Sequence, residues 1–187
     1  DGAIVDLTRA IELDPKLTVA WTNRGEVRKF KGDFNGAIED CTRTLELEPK
    51  NPAALNNRGN ARQAKGDVDG AIADFTKALD LDLKNVDAWI NRGNARKAKG
   101  DLDGAIADFS RALDLDPKFT AAWKNRGNFK YTKGDLDGAI EDYSRALELD
   151  PKLTQAHFNK GLVHWNLAQL DDAISSYGEA VQLDPEY

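Results

Sequence analysis

Methionine is absent from the 187 residues, and the chain has one cysteine, two histidines and six prolines. A single cysteine excludes a disulfide framework within the chain. Cys41 stands where sister segments carry Phe75, Phe109, Tyr143 and Tyr177, so it reads as a small buried hydrophobe, with a reactive thiol as the alternative. His157 and His164 have no cysteine near them, which gives a zinc site no support. No apolar run approaches the ~20 residues that span a bilayer, and no signal peptide is visible. Membrane insertion is therefore not expected, and the cytoplasm is the default compartment. A net basic footprint is also missing: the formal charge is −6, which argues against nucleic-acid partners. No Ser/His/Asp or Cys/His arrangement is suggested, so neither an enzyme nor a cofactor is expected. Without an initiating methionine, the sequence is expected to be a fragment of a longer protein.

What the chain has is repetition. Trp89, Gly93, Gly100, Ala105, Phe109, Ala112 and Pro117 reappear 34 residues later as Trp123, Gly127, Gly134, Ala139, Tyr143, Ala146 and Pro151. The same places 34 residues earlier hold Leu55, Gly59, Gly66, Ala71, Phe75, Ala78 and Leu83. A fixed period of this length signals stacked units, each unable to bury its apolar face alone. Each unit reads as two helices. In segment 86–119 the first runs from about Asp87 to Lys99 and stops at Gly100. Asp101 is then the N-cap of the second, which ends near Asp116, before Pro117. Glycines inside the first helices, such as Gly59, Gly93 and Gly127, each cost about 1 kcal/mol of helix propensity. Close packing of the helix pair is the reason to keep them.

This Trp…Gly…Ala…Phe/Tyr…Ala…Pro signature resembles the tetratricopeptide repeat. The resemblance implies an all-α fold, a right-handed α-solenoid of antiparallel helix pairs. It places the whole of 1–187 in one array: full repeats at 18–51, 52–85, 86–119, 120–153 and 154–187, after the second half of a repeat at 1–17. It also implies a protein-interaction scaffold that binds a peptide or partner surface in a concave groove lined by the first helices.

Carried over residue by residue, the groove-facing set is Asn23, Asn57, Asn91, Asn125 and Asn159, joined by Asn60, Asn94 and Asn128. An amide offers both donor and acceptor and matches a peptide unit of an extended chain; the other reading is that these asparagines link neighbouring helices. Lys29, Lys97 and Lys124 against Glu26 and Asp87 make the inferred groove near neutral, while the outer helices are acidic. Lys124, Asn128 and Asn159 supply two parts of a carboxylate clamp that no following repeat completes. Tyr131, Phe158, Leu162 and Trp165 form an apolar patch at the C-terminal end, either a binding site or a face packed by a further repeat or another molecule. Two alternatives to the scaffold stay open. The chain is a non-catalytic, substrate-presenting arm of a larger enzyme, or it self-assembles end to end through uncapped helices.

One pattern departs from the family. Arg24, Arg58, Arg92 and Arg126 precede the mid-helix glycine, and Asp40, Asp74, Asp108 and Asp142 occupy the facing second helix. In the last repeat both change, to Lys160 and Ser176. The paired change predicts a ladder of Arg–Asp forks within the repeats, the alternative being solvated surface charge. The Asp-x-Asp-Gly stretches look like a calcium loop, but the further oxygen ligands are missing and these aspartates cap helices. No metal site is expected.

Overall fold

The structure is a computed structural model that describes residues 2–186. Among the described residues there are eleven α-helices and no strand. They are α1 (Gly2–Leu13), α2 (Thr18–Phe30), α3 (Phe34–Leu47), α4 (Pro52–Ala64), α5 (Val68–Leu81), α6 (Val86–Ala98), α7 (Leu102–Leu115), α8 (Thr120–Lys133), α9 (Leu136–Leu149), α10 (Thr154–Asn166) and α11 (Leu170–Leu183). The chain divides into two compact units, one ending at Lys99 and the other starting at Gly100.

The first unit contains the pairs α2–α3 and α4–α5, flanked by α1 and α6. Here α2 neighbours α4, and α4 neighbours α6, so the first helices lie side by side. The second unit contains α7 and the pairs α8–α9 and α10–α11, with α8 beside α10. Helices of this kind bury one stripe, and the stripe here is small residues and single rings. Ala71, Phe75 and Ala95 form one core cluster of the first unit, and Leu55, Ala78, Leu79 and Ala88 another. In the second unit Ala139, Tyr143 and Val163 pack together beneath Leu136, Ile140 and Leu167, while Phe109 meets Phe129 edge to face at 5.2 Å.

The helix pairs close tightly because the mid-helix residue is glycine. A Cβ at Gly59 would lie 2.6 Å from the Phe75 ring, and one at Gly127 would lie 2.8 Å from the Tyr143 ring. At Gly25 the nearest atom is Cys41 Sγ, 3.0 Å away, because the thiol fills the place of the ring. Cys41 is fully buried. Burial, reinforced by the Asp40 charge, pushes its thiol up to about 12, so the thiolate that reactivity requires is suppressed.

The turn between paired helices is set by two residues. Gly32, Gly66, Gly100 and Gly134 sit in the left-handed region, where a Cβ is strained. The next residue is an aspartate whose side chain accepts a hydrogen bond from the third residue of the helix it opens. The pairs are Asp33 with Gly36, Asp67 with Gly70, Asp101 with Gly104 and Asp135 with Gly138 (2.9–3.1 Å). The predicted cap at Asp101 is therefore present, and α6 starts and α7 ends within one residue of the expected positions.

Candidate functional site

The arginine at each repeat's first helix is built into the fold. Arg24 donates Nε and Nη2 to the two Asp40 oxygens at 2.9 and 2.7 Å, and Arg58 does the same to Asp74. Arg126 grips Asp142 at 2.8 and 2.7 Å. The aspartates are 1% exposed. Each receives a second cation one turn along: Arg28 at 3.0 Å, Arg62 at 2.8 Å and Lys130 at 3.2 Å. The remaining guanidinium nitrogen reaches back to a hydroxyl on the preceding second helix, Thr8, Thr42 or Ser110. These are the forks expected from the sequence. Arg92 lies in the first unit and Asp108 in the second, and both are buried. The Asp40 fork holds the Arg24 guanidinium charged by raising its pKa further, against the effect of burial.

The tryptophan three residues before the arginine completes the unit. Trp21, Trp89 and Trp123 donate their indole N–H to a backbone carbonyl six residues upstream, at 2.9–3.0 Å. Arg24, Arg92 and Arg126 lie over the respective rings, 4.7–4.8 Å from the centroid. This stacking adds cation–π attraction to the fork. The sequence reading missed the stacking, although the constant three-residue spacing of Trp and Arg was a signal for it.

The asparagine row falls into two sets. In the first unit Asn57 accepts from Lys29 Nζ at 3.2 Å, and Asn91 donates to Asn56 at 3.1 Å. Asn56 was not among the expected residues; its place beside Asn57 was the only hint. Asn23 is exposed, as is Lys97, whereas Asn60 and Asn94 are half-buried.

The second unit gathers several expected residues around one cleft. Asn128, Tyr131, Thr132, Tyr143, Asn159 and Leu162 line a space of about 220 Å³ between α8, α9 and α10. Asn128 Oδ1 is the hub, accepting from Asn159 at 2.9 Å and from the Tyr143 hydroxyl at 2.7 Å. Tyr131 OH accepts from Asn166 at 2.8 Å. Burial first, then the neighbouring Tyr131, pushes the Tyr143 phenol well above its ordinary range. It therefore stays neutral and keeps donating. Lys124 donates to Gln155 at 2.8 Å, and Asn125 is half-buried. Tyr131 and Leu162 enter the cleft, Phe158 packs on Tyr177 with ring centroids 5.4 Å apart, and Trp165 is 59% exposed. Tyr143, a repeat-signature position in the sequence, is both core and cleft wall. Its hydroxyl, absent from Phe75 and Phe109 in the same place, was the signal.

Among the described residues no group of His, Cys, Asp and Glu is arranged to hold a metal ion, and no helix is long and apolar enough to cross a membrane.

Profiles described as tetratricopeptide repeat match residues 22–82 and 56–119, and again 154–187; one described as TPR repeat matches 127–167. No curated protein matches the chain in sequence. Solved structures do. A crystal structure of MamA is 26% identical, covering 87% of this chain and 95% of its own, with a TM-score of 0.83. MamA from Desulfovibrio magneticus RS-1 is 19% identical over 90% of this chain and 96% of its own, with a TM-score of 0.84. YrrB, described as a TPR protein with an unusual peptide-binding site, is 23% identical over 97% of this chain and 93% of its own, also at 0.84. Repeat signature, helix pairing and these likenesses agree: the chain belongs to the tetratricopeptide repeat family, and its fold is that of a protein-interaction scaffold.

Proposed function

We propose that the chain binds an extended peptide segment of a protein partner on its first helices, and that the cleft of the second unit anchors it. The observation that carries this reading is the hydrogen-bonded set Asn159–Asn128–Tyr143. It fixes the orientation of two amides at the wall of a cleft that Tyr131 and Leu162 also line. Fixed amides pair with a peptide backbone without losing rotamer entropy on binding, and the apolar lining takes a side chain. In the first unit the first helices offer Asn57 and Asn91, each held by a neighbour. The likeness to YrrB supports the reading, since that protein is described as having a peptide-binding site. The register of five full repeats after a leading half repeat belongs to the same proposal.

A random displayed peptide library panned against the chain provides the ligand for the test. The selected peptide's affinity is measured by fluorescence anisotropy for wild type and for an Asn159→Ala, Leu162→Ala variant. Loss of about tenfold or more, ~1.4 kcal/mol, is the expected result. Equal binding by a variant whose circular dichroism is unchanged removes the cleft from the function.

A further inference from the structure

The last repeat replaces the whole Trp–Arg–Asp unit, not just the arginine and the aspartate. Where Trp123, Arg126 and Asp142 stand in the preceding repeat, it has His157, Lys160 and Ser176. Each replacement is smaller or more slender. Together with Ser144, Glu148 and Glu179 they line a pocket of about 430 Å³ between α9, α10 and α11, within the size range of ligand sites. His157 keeps the backbone bond of the lost tryptophan, its Nε2 lying 3.0 Å from Pro151 O, so the ring is positioned.

The hydroxyl that serves the arginine elsewhere is retained. Ser144 stands 16 residues before Lys160, as Ser110 stands before Arg126 and Thr42 before Arg58. What the last repeat lacks is the anion. Lys160 is half-buried, and among the described residues it has no ion-pair or hydrogen-bond partner. The two lining glutamates do not pair with it. Glu148 is engaged by Arg145 at 2.5 Å with its side chain 63% exposed, and Glu179 is exposed to water. A half-buried lysine that lines one pocket with two serines offers a cation and hydroxyl donors to an anionic oxygen group.

We propose that this pocket receives a carboxylate of a protein partner, held by the Lys160 ammonium and the Ser144 and Ser176 hydroxyls, in the place an aspartate fills in the preceding repeats. The chemistry favours a carboxylate over a phosphate. The ladder site one repeat earlier already holds a carboxylate, that of Asp142 on Arg126 and Lys130, and the two lining glutamates repel a dianion more than a monoanion. The pocket is distinct from the amide cleft: α10 contributes His157 and Lys160 here, and Asn159 and Leu162 there.

The test is an NMR titration of the ¹⁵N-labelled chain with N-acetyl-aspartate N-methylamide, with the capped asparagine and inorganic phosphate as parallel arms. Aspartate is expected to give saturating shifts at the amides around His157, Lys160 and Ser176, and asparagine none. Lys160→Gln should weaken aspartate binding about tenfold or more. Ser176→Asp should abolish it by filling the site from within. This second variant restores the residue found in the earlier repeats, so it is expected to fold. An Asn159→Ala, Leu162→Ala variant should bind aspartate as wild type does, which separates this proposal from the peptide cleft. Absence of saturating shifts, shifts unaltered by both Lys160→Gln and Ser176→Asp, or a response to phosphate and not to aspartate would each overturn the proposal.

Discussion

The pairs α8–α9 and α10–α11 carry the same 34-residue pattern in the same unit, yet they are held together differently. In the first pair Arg126 and Lys130 converge on a buried Asp142, Gly134 makes the turn at φ 88°, and Asp135 caps α9. In the second pair the aspartate is Ser176, the turn residue is Ala168 at φ 58°, and Gln169 gives α11 no side-chain cap. Gln169 instead meets His164 Nδ1 at 2.7 Å. The coverage differs too. Leu136 and Ile140 of α9 are half-buried beside Val163, whereas Leu170 and Ile174 of α11 are 53% and 69% exposed. One pattern therefore yields a firmly specified helix pair where ion pair, turn and cap agree. Where all three are altered, the pair keeps its buried Ala156, Val163, Ala173 and Ala180 and the packing of Tyr177 against Gly161 and Phe158.

The largest expected effect comes from the buried ion pair. Asp142→Ala strands Arg126 and Lys130 and should cost about 3–5 kcal/mol, read as a lowered denaturation midpoint in urea by circular dichroism. Ser176→Ala, at the same place one repeat later, should change stability by no more than about 0.5 kcal/mol. Comparable losses from the two would abolish the distinction between the pairs.

A smaller difference is expected at the mid-helix glycines. Gly127→Ala drives a methyl into Tyr143, which is 1% exposed and held by Asn128; overpacking of this kind costs about 1–3 kcal/mol. Gly161→Ala meets Tyr177 at the same 2.8 Å, but that ring is only half-buried and has room to move. The gain in helix propensity, about 1 kcal/mol, should offset most of its cost. Thermal midpoints of the two variants test this, and a larger drop for Gly161→Ala would show that α11 is the more rigid.

The smallest effect is at the turn. Ala168→Gly removes left-handed strain of about 1–2 kcal/mol but adds unfolded-state entropy of about 0.4–1 kcal/mol, for a net gain of about 0.5–1 kcal/mol. Gly134→Ala should lose a similar amount. Differential scanning calorimetry resolves both, and a loss from Ala168→Gly would mean that the Ala168 methyl makes contacts that outweigh its strain.

Much of this architecture was legible in the residues. The period placed the helices to within a residue or so, because glycine and aspartate at the turn and proline after the pair each act through local backbone geometry. The Arg–Asp forks were legible because both partners change together in the last repeat. The cleft was legible only in part. Asn128, Asn159, Tyr131 and Leu162 were expected on one surface, but the hub role of Asn128 depends on a Tyr143 hydroxyl from another helix. The packing of Phe158 on Tyr177 depends on which side of α10 faces α11.

The sequence by itself determined the helix pairs, their turns and caps, the buried charge ladder and the family. These follow from spacing along one chain and from residue types whose preferences are local. Tertiary structure alone decided which asparagines meet, that Tyr143 closes the cleft, and that three coordinated replacements in the last repeat open a pocket around Lys160. Those outcomes depend on distances between helices, and side-chain volume at one position acquires its meaning only from what packs opposite it.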